Sequence, residues 1–256
     1  MGEAGITVVE QLLGSLRTEL AVDAVIAQAE NVTAGRGISV VDYQRLQAAG
    51  VDFCTGGNHI FDTKEIYQQL NDPNEPIIRP ANYPAGTPGL GYKYLTTTHG
   101  KILIISLLGQ IVGKQSTQVL DNPLKVVDQI LAAEQGVEKL ATVVNFHGDF
   151  SSEKVIIGHY LDGRATAVVG DHWHIPTADA RLLPKSTAHI TDVGMCGALN
   201  SSLGVTFGSV VPRWRDGLQT RNVLETAGPR QFNAVLVTVD DNGLASSIEQ
   251  IQRRLD

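Results

Sequence analysis

The stretch VVGDHWHIPTADARLLP, residues 168–184, sets two histidines one residue apart directly after a short apolar run. Side chains of extended backbone alternate with a period of two, so His172 and His174 leave the chain on the same side and would suit two neighbouring ions. One loop cannot surround a cation, so further donors must come from elsewhere in the chain. Three places offer them: Glu30-Asn31, Asn58-His59 and His147, each after a short apolar segment. The set is nitrogen and oxygen only, which suits Mn, Fe or Zn and argues against a thiolate site. Taken singly, each piece is weak. An H-x-H pair is often two surface or satisfied core histidines, a Glu or Asn after a strand is often a helix cap, and Asn58-His59 alone reads as a turn. Their coincidence at four strand ends favours a metallohydrolase.

The elements that must position these residues alternate. ITVVEQLLGSLRTEL has Val9, Leu12, Leu13, Leu16 and Leu20 near helical spacing. VDAVIAQAEN reads as a strand running into Glu30 and Asn31. Ser39 is the expected N-cap of a helix over VVDYQRLQAA, which Gly50 closes. VDFCTGG is the next strand, DTKEIYQQL a short helix, and IIRPANYPAGTPGLG a long loop with three of the ten prolines. YKYLTTT and KILIISLLG form a hairpin turning at His99-Gly100. PLKVVDQILAAEQ and SEKVIIGHYL are helices, and ATVVNF and TAVVG are strands that deliver His147 and His172. From ARLLP onward, strand and turn signals dominate, with a hairpin turn at Asp241-Asn242-Gly243. This order predicts an α/β protein with its chemistry at strand ends, in one domain over 1–256.

Bulk properties narrow the function. A formal net charge of -7 with no basic run argues against long nucleic acid as a partner, while a small phosphate ester in a metal-lined pocket stays compatible. No apolar run approaches the roughly 20 residues of a membrane span, and Met1-Gly2-Glu3-Ala4-Gly5 is not a signal peptide. Cys54 and Cys196 read as two reduced thiols, so a cytoplasmic location is expected.

Within this frame, GGNHIFD resembles the Gly-Asn-His block of calcineurin-like metallophosphoesterases, and GDHWH resembles their terminal Gly-His-x-His block. More narrowly, AENVTAGRGI, GGNHIFD, IIRPANYPAGTPG, NFHGDFSSEK, DGRATAVVGDHWHIPTAD and ITDVGM are similar to the bacterial YmdB-type subfamily, in order and over nearly the whole chain. The resemblance implies a four-layer α/β/β/α sandwich and a phosphodiesterase using two divalent metal ions, Fe or Mn first and Zn next, on small phosphodiesters such as 2',3'-cyclic nucleotides. It places Glu30 as the carboxylate bridging two metals, Asn58, His147 and His172 on one of them, and Asn31 and His174 on the other's side. His59 takes the place of the general acid that protonates the leaving alkoxide, a role a histidine can fill for a ribose hydroxyl.

Two departures stand out. The family opens with a strand ending in Gly-Asp, and that Asp is a metal ligand; here MGEAGITVVE reads as the end of the following loop running straight into the helix. The expectation is therefore a chain without that first strand and Asp. Its neighbouring strand edges would be open, which would allow a homo-oligomer, and one cation would be held less firmly. The alternative is a catalytically impaired regulatory protein that binds metal or nucleotide. Trp173, between the two histidines, is either a packed indole or a stacking face for a base. Asp149 is a candidate to orient His147, and His99, His159 and His189 have no motif support.

Overall fold

A computed structural model describes residues 1–113 and 117–256. A six-stranded sheet faces two three-stranded sheets, with helices on both outer sides. The first half contributes α1 (Gly2–Glu19), β1 (Ile26–Gln28), α2 (Val40–Ala48), β2 (Phe53–Thr55), a 3-10 turn (Lys64–Ile66), α3 (Tyr67–Asn71) and β3 (Ile77–Ile78). The middle supplies β4 (Tyr92–Thr96), β5 (Lys101–Leu108), α4 (Pro123–Ala133), β6 (Ala141–His147), α5 (Ser151–Tyr160) and β7 (Ala167–Asp171). The chain continues through β8 (Arg181–Leu182), β9 (Ala188–Ile190), β10 (Gly197–Ala198) and α6 (Phe207–Asp216), and ends in the hairpin of β11 (Arg230–Val239) and β12 (Ala245–Leu255).

The larger sheet runs β4-β5-β6-β7-β9-β8, with a parallel centre and antiparallel strands at both edges. Its central strands are buried on both faces, which is why KILIISLL and ATVVNFH read as near-continuous apolar runs. Opposite lie the parallel set β1-β2-β3 and the antiparallel set β10-β11-β12. Three apolar regions bind the layers. Ile6, Leu13 and Leu16 of α1 meet Leu46 of α2, Phe232 and Ile251. Phe53, Ile78, Ile102 and Ile104 fill the space between the sheets. Val127 and Ile130 of α4 and Ile157 of α5 cover Leu103, Val144 and Val168 from outside. This is the expected four-layer α/β/β/α sandwich.

Local signals largely hold. Ser39 Oγ accepts the Asp42 N–H at the start of α2, and Gly50 follows its end with a φ of 104°, a value open to glycine at little cost. Asn122 caps α4, and Pro123 opens it at a position that has no intrahelical N–H partner to lose. The helix expected over DTKEIYQQL divides into the 3-10 turn and α3, and the expected long loop begins as β3.

The strand-rich reading of the C-terminal part misses α6. Its Phe207, Val211 and Trp214 have helical spacing, but they form an exposed face, and Pro212 sits within the helix. No core demand advertises this helix in the sequence. Among the described residues, no helix is long and apolar enough to cross a membrane, and Cys54 and Cys196 are free thiols.

β1 is an edge strand, paired with β2 alone among the described residues. A cavity of about 780 Å³ is lined by Ile6 and Leu13 of α1, Ala27 of β1, Val143 of β6 and Phe232 of β11. Asn31, His147 and His174 also line it.

Candidate metal centre

Four segments converge at the carboxyl ends of their strands. β1 leads into Glu30 and Asn31, β2 into Asn58 and His59, β6 ends on His147, and β7 ends on Asp171 just before His172. Parallel pairing sets Asp171 directly beside His147.

The donors form two groups. In the first, His147 Nε2 lies 2.7 Å from Asn58 Oδ1, 2.9 Å from His172 Nδ1 and 3.1 Å from Glu30 Oε1. Its other nitrogen, Nδ1, is 2.6 Å from Asp171 Oδ1, and His172 Nε2 is 3.2 Å from Asp149 Oδ1. With each ring donating its outer N–H to that carboxylate, two imidazole lone pairs, an amide oxygen and a carboxylate oxygen face one another. Glu30 Oε1 is fully buried and accepts no hydrogen bond of normal geometry. Such a cluster of acceptors calls for a positive charge at its centre, either a proton on His147 or a cation in its place. Glu30, His147 and His172 present ligand atoms within 4.8 Å of one another, so the residues fit a divalent cation.

The second group pairs His174 with Asn31. His174 Nδ1 lies 3.2 Å from the Leu203 carbonyl, leaving Nε2 to face Asn31 Oδ1 at 3.2 Å. Asn31 commits its amide N–H to the Gly35 carbonyl. Burial pushes the His174 imidazole down to about 4, so at neutral pH two acceptors face each other here as well. His172 is likewise lowered, by burial and then by the charge of His147.

The buried Glu30–His147 pair behaves oppositely. Burial alone would push His147 down, but the Glu30 and Asp171 carboxylates outweigh it and hold the imidazole above its ordinary range. For Glu30, burial raises the carboxyl, while His147 and the backbone N–H of His59 hold it below the usual carboxylate range. In the metal-free chain the His147 contribution to stability is therefore complete below the ordinary imidazole value, and it fades as pH rises through the elevated one. A cation needs the neutral ring, so loading at pH 7 expels this proton and apparent affinity rises with pH. Mn titrated in two buffers of different ionisation enthalpy should give different observed heats; equal heats would contradict a protonated His147.

Gly57 leaves room for this packing. A Cβ there would collide with Glu30 Oε2 and lie 2.6 Å from the His147 ring. Gly57→Ala is expected to weaken metal binding roughly 10–100-fold, the scale seen when ligand-orienting contacts are lost. A calorimetric Kd within twofold of the unmodified chain would refute this.

His59 stands beside the first group and is half-buried. Its Nδ1 lies 2.9 Å from Asp62 Oδ2, and Arg36 Nε reaches the same carboxylate oxygen at 3.0 Å. Trp173 is packed: its Nε1 donates to the Asp149 carbonyl at 2.9 Å, and the Lys154 ammonium sits 4.0 Å from the ring centroid.

Thus Glu30, Asn58, His147 and His172 come together, Asn31 and His174 form the second group, and His59 flanks them. One expectation is corrected. Asp149 faces His172 rather than His147; the carboxylate that orients His147 is Asp171. Asp171 carries no local signal in the sequence, because only the β6–β7 register sets it beside His147. Asp62, three residues beyond His59, was not expected either.

The fold is of the calcineurin-like metallophosphoesterase type, and the donors gathered at its strand ends fit a divalent cation. The family model described as YmdB-like protein matches residues 1–251, and the chain belongs to that family. A 2',3'-cyclic-nucleotide 2'-phosphodiesterase of Bacillus subtilis is 36% identical over 242 residues, covering 94% of this chain and 89% of the relative. Among solved structures, a hypothetical protein from Thermus thermophilus matches with a TM-score of 0.89 at 35% identity, covering 99% of this chain and 96% of its own. A phosphatase from Mycoplasma pneumoniae gives 0.90 at 30% identity, covering 99% and 90%.

Proposed function

We propose that this chain is a divalent-metal-dependent phosphodiesterase of small phosphodiesters, with 2',3'-cyclic nucleotides as its substrate class. The observation that carries the reading is the convergence of His, Asn and Glu side chains of metal-ligating type in two adjoining groups that share one end of the sheets. With Mn, Fe or Zn bound there, the site would have a water made nucleophilic at neutral pH and positive charge against the phosphate oxygens. Glu30, Asn58, His147 and His172 would hold one cation, and Asn31 and His174 would contribute to a second. Asp171 and Asp149 fix the tautomers of His147 and His172 by accepting their outer N–H groups.

His59 is the proton donor to the leaving oxygen. His59 Nδ1 lies 2.9 Å from Asp62 Oδ2, and with Asp62 accepting from Nδ1 the transferable proton would sit on Nε2. Arg36 pins Asp62 and adds positive charge near the same edge of the site. The substrate class follows from the Bacillus subtilis relative's name and from the small, acidic character of the chain.

The test is hydrolysis of 2',3'-cyclic AMP by this chain, stripped with chelator and then supplied with Mn. Turnover that disappears with the metal and returns with it is the expected result. A chain that binds Mn but leaves the cyclic ester intact while cleaving a phosphomonoester would overturn the substrate class. A chain that binds no divalent metal would overturn the whole reading.

A further inference from the structure

The two histidines of the H-x-H stretch occupy backbone that their residue type disfavours. His172 has a φ of 98° and His174 a φ of 64°, with Trp173 between them. Neither is glycine, so the conformation persists only where surrounding contacts fix it more tightly than the chain alone would.

Those contacts centre on an ion pair that the chemistry above does not use. Lys154, on α5, is fully buried, as is Asp192 after β9. Lys154 Nζ donates to Asp192 Oδ2 at 2.9 Å and to the Asp171 carbonyl at 2.5 Å. Its position over the Trp173 ring adds a cation–π contact. Asp192 Oδ2 also accepts the Trp173 N–H at 2.8 Å, and Oδ1 accepts the Gly194 N–H at 2.9 Å. The Asp192 N–H donates to Thr177 Oγ1 at 2.9 Å, and Met195 N donates to the His174 carbonyl at 3.2 Å. The residues before and after His172 are therefore both held by one buried pair.

We infer that Lys154 and Asp192 are positioning residues: their buried ion pair grips the backbone on both sides of His172 and aims His172 and His174 at the cations. The sequence offers a trace of this, because Lys154 closes NFHGDFSSEK and Asp192 lies within ITDVGM, two stretches in which neither residue has another assigned task. A buried pair is weak evidence for stability, since apolar replacements often serve as well. Its value here is geometric. An ammonium offers three donors, enough to fix a carboxylate and a carbonyl at once.

The inference rests on reading the two groups as metal sites, so the test separates the two claims. Metal-free chain is titrated with Co(II), and affinity and the visible d–d spectrum at saturation are recorded for the unmodified chain, Lys154→Met and Asp192→Asn. Thermal unfolding of each metal-free variant is followed in parallel. The expected result is a 10–100-fold loss of affinity with an altered spectrum at saturation, the scale of ligand-orienting groups. If Lys154→Met does not fold, the pair Lys154→Met with Asp192→Asn, which leaves no charge unpaired, takes its place, and Asp192→Asn alone gives the same readings. Lower thermal stability with affinity within twofold and an unchanged spectrum would make the pair mere scaffold and overturn the inference. An unmodified chain that binds no cobalt would overturn the metal-site reading itself.

Discussion

Glu30→Gln is expected to strip the chain of at least half its bound metal and to lower phosphodiesterase turnover by roughly 10³-fold or more. The side chain keeps its size and loses its charge. Glu30 is wholly buried, with Oε2 committed to the His59 N–H at 2.7 Å and Oε1 facing His147 at 3.1 Å. An amide in that position sets N–H hydrogens or a neutral oxygen where an anionic acceptor stood. The magnitude follows from the several kcal/mol that metal ions supply to phosphoryl transfer, at about 1.4 kcal/mol per tenfold change in rate. Metal content after dialysis, measured by mass spectrometry, and turnover of 2',3'-cyclic AMP check it together. Full metal content with turnover within tenfold would remove Glu30 from the role proposed here.

The second large effect separates proton transfer from metal binding. His59→Ala is expected to retain its metal and to lose roughly 10²–10⁴-fold in kcat on a ribose cyclic ester, the usual contribution of a positioned acid. Metal is retained because His59 supports Glu30 through its backbone N–H, which alanine keeps. The diagnostic lies in the leaving group. A nitrophenolate departs without a proton, so on a bis-nitrophenyl diester the deficit should shrink towards the unmodified rate. An equal loss on both substrates would assign His59 to binding or folding instead. Asp62→Asn should produce a smaller loss of the same kind, because it weakens the hydrogen bond that sets the tautomer and the ion pair with Arg36 but leaves the imidazole in place.

Much of this site was legible in the order of residues alone. Candidate ligands at strand ends follow from apolar runs that stop at polar residues, and the H-x-H spacing singles out His172 and His174. The supporting carboxylates were not legible, for a physical reason. Asp171 precedes His172 by one residue, yet its partner is His147, brought beside it by parallel pairing of β6 and β7. Nothing local encodes that register. Asp149 was expected to serve His147 because it is close in sequence, and it serves His172 instead. The left-handed backbone at His172 and His174 was equally hidden: an extended H-x-H would send both rings one way, whereas the observed strain sends them to different donor groups. Such backbone costs about 1–3 kcal/mol per residue and is recognised only when its restraints are seen. For α6, the apolar spacing was present but its face is solvent-exposed, so the pattern marked no core.

The placing of the two tryptophans gives the molecule an optical property. Trp214 stands on α6, 83% exposed. Trp173 lies between the two candidate histidine ligands, its indole N–H bonded to the Asp149 carbonyl and its ring against an ammonium. The emission therefore divides by environment, one fluorophore open to aqueous quenchers and the other sheltered. A paramagnetic ion seated beside His172 would dim the sheltered one selectively. The chain carries its own built-in gauge of whether its centre is filled, readable without label or substrate.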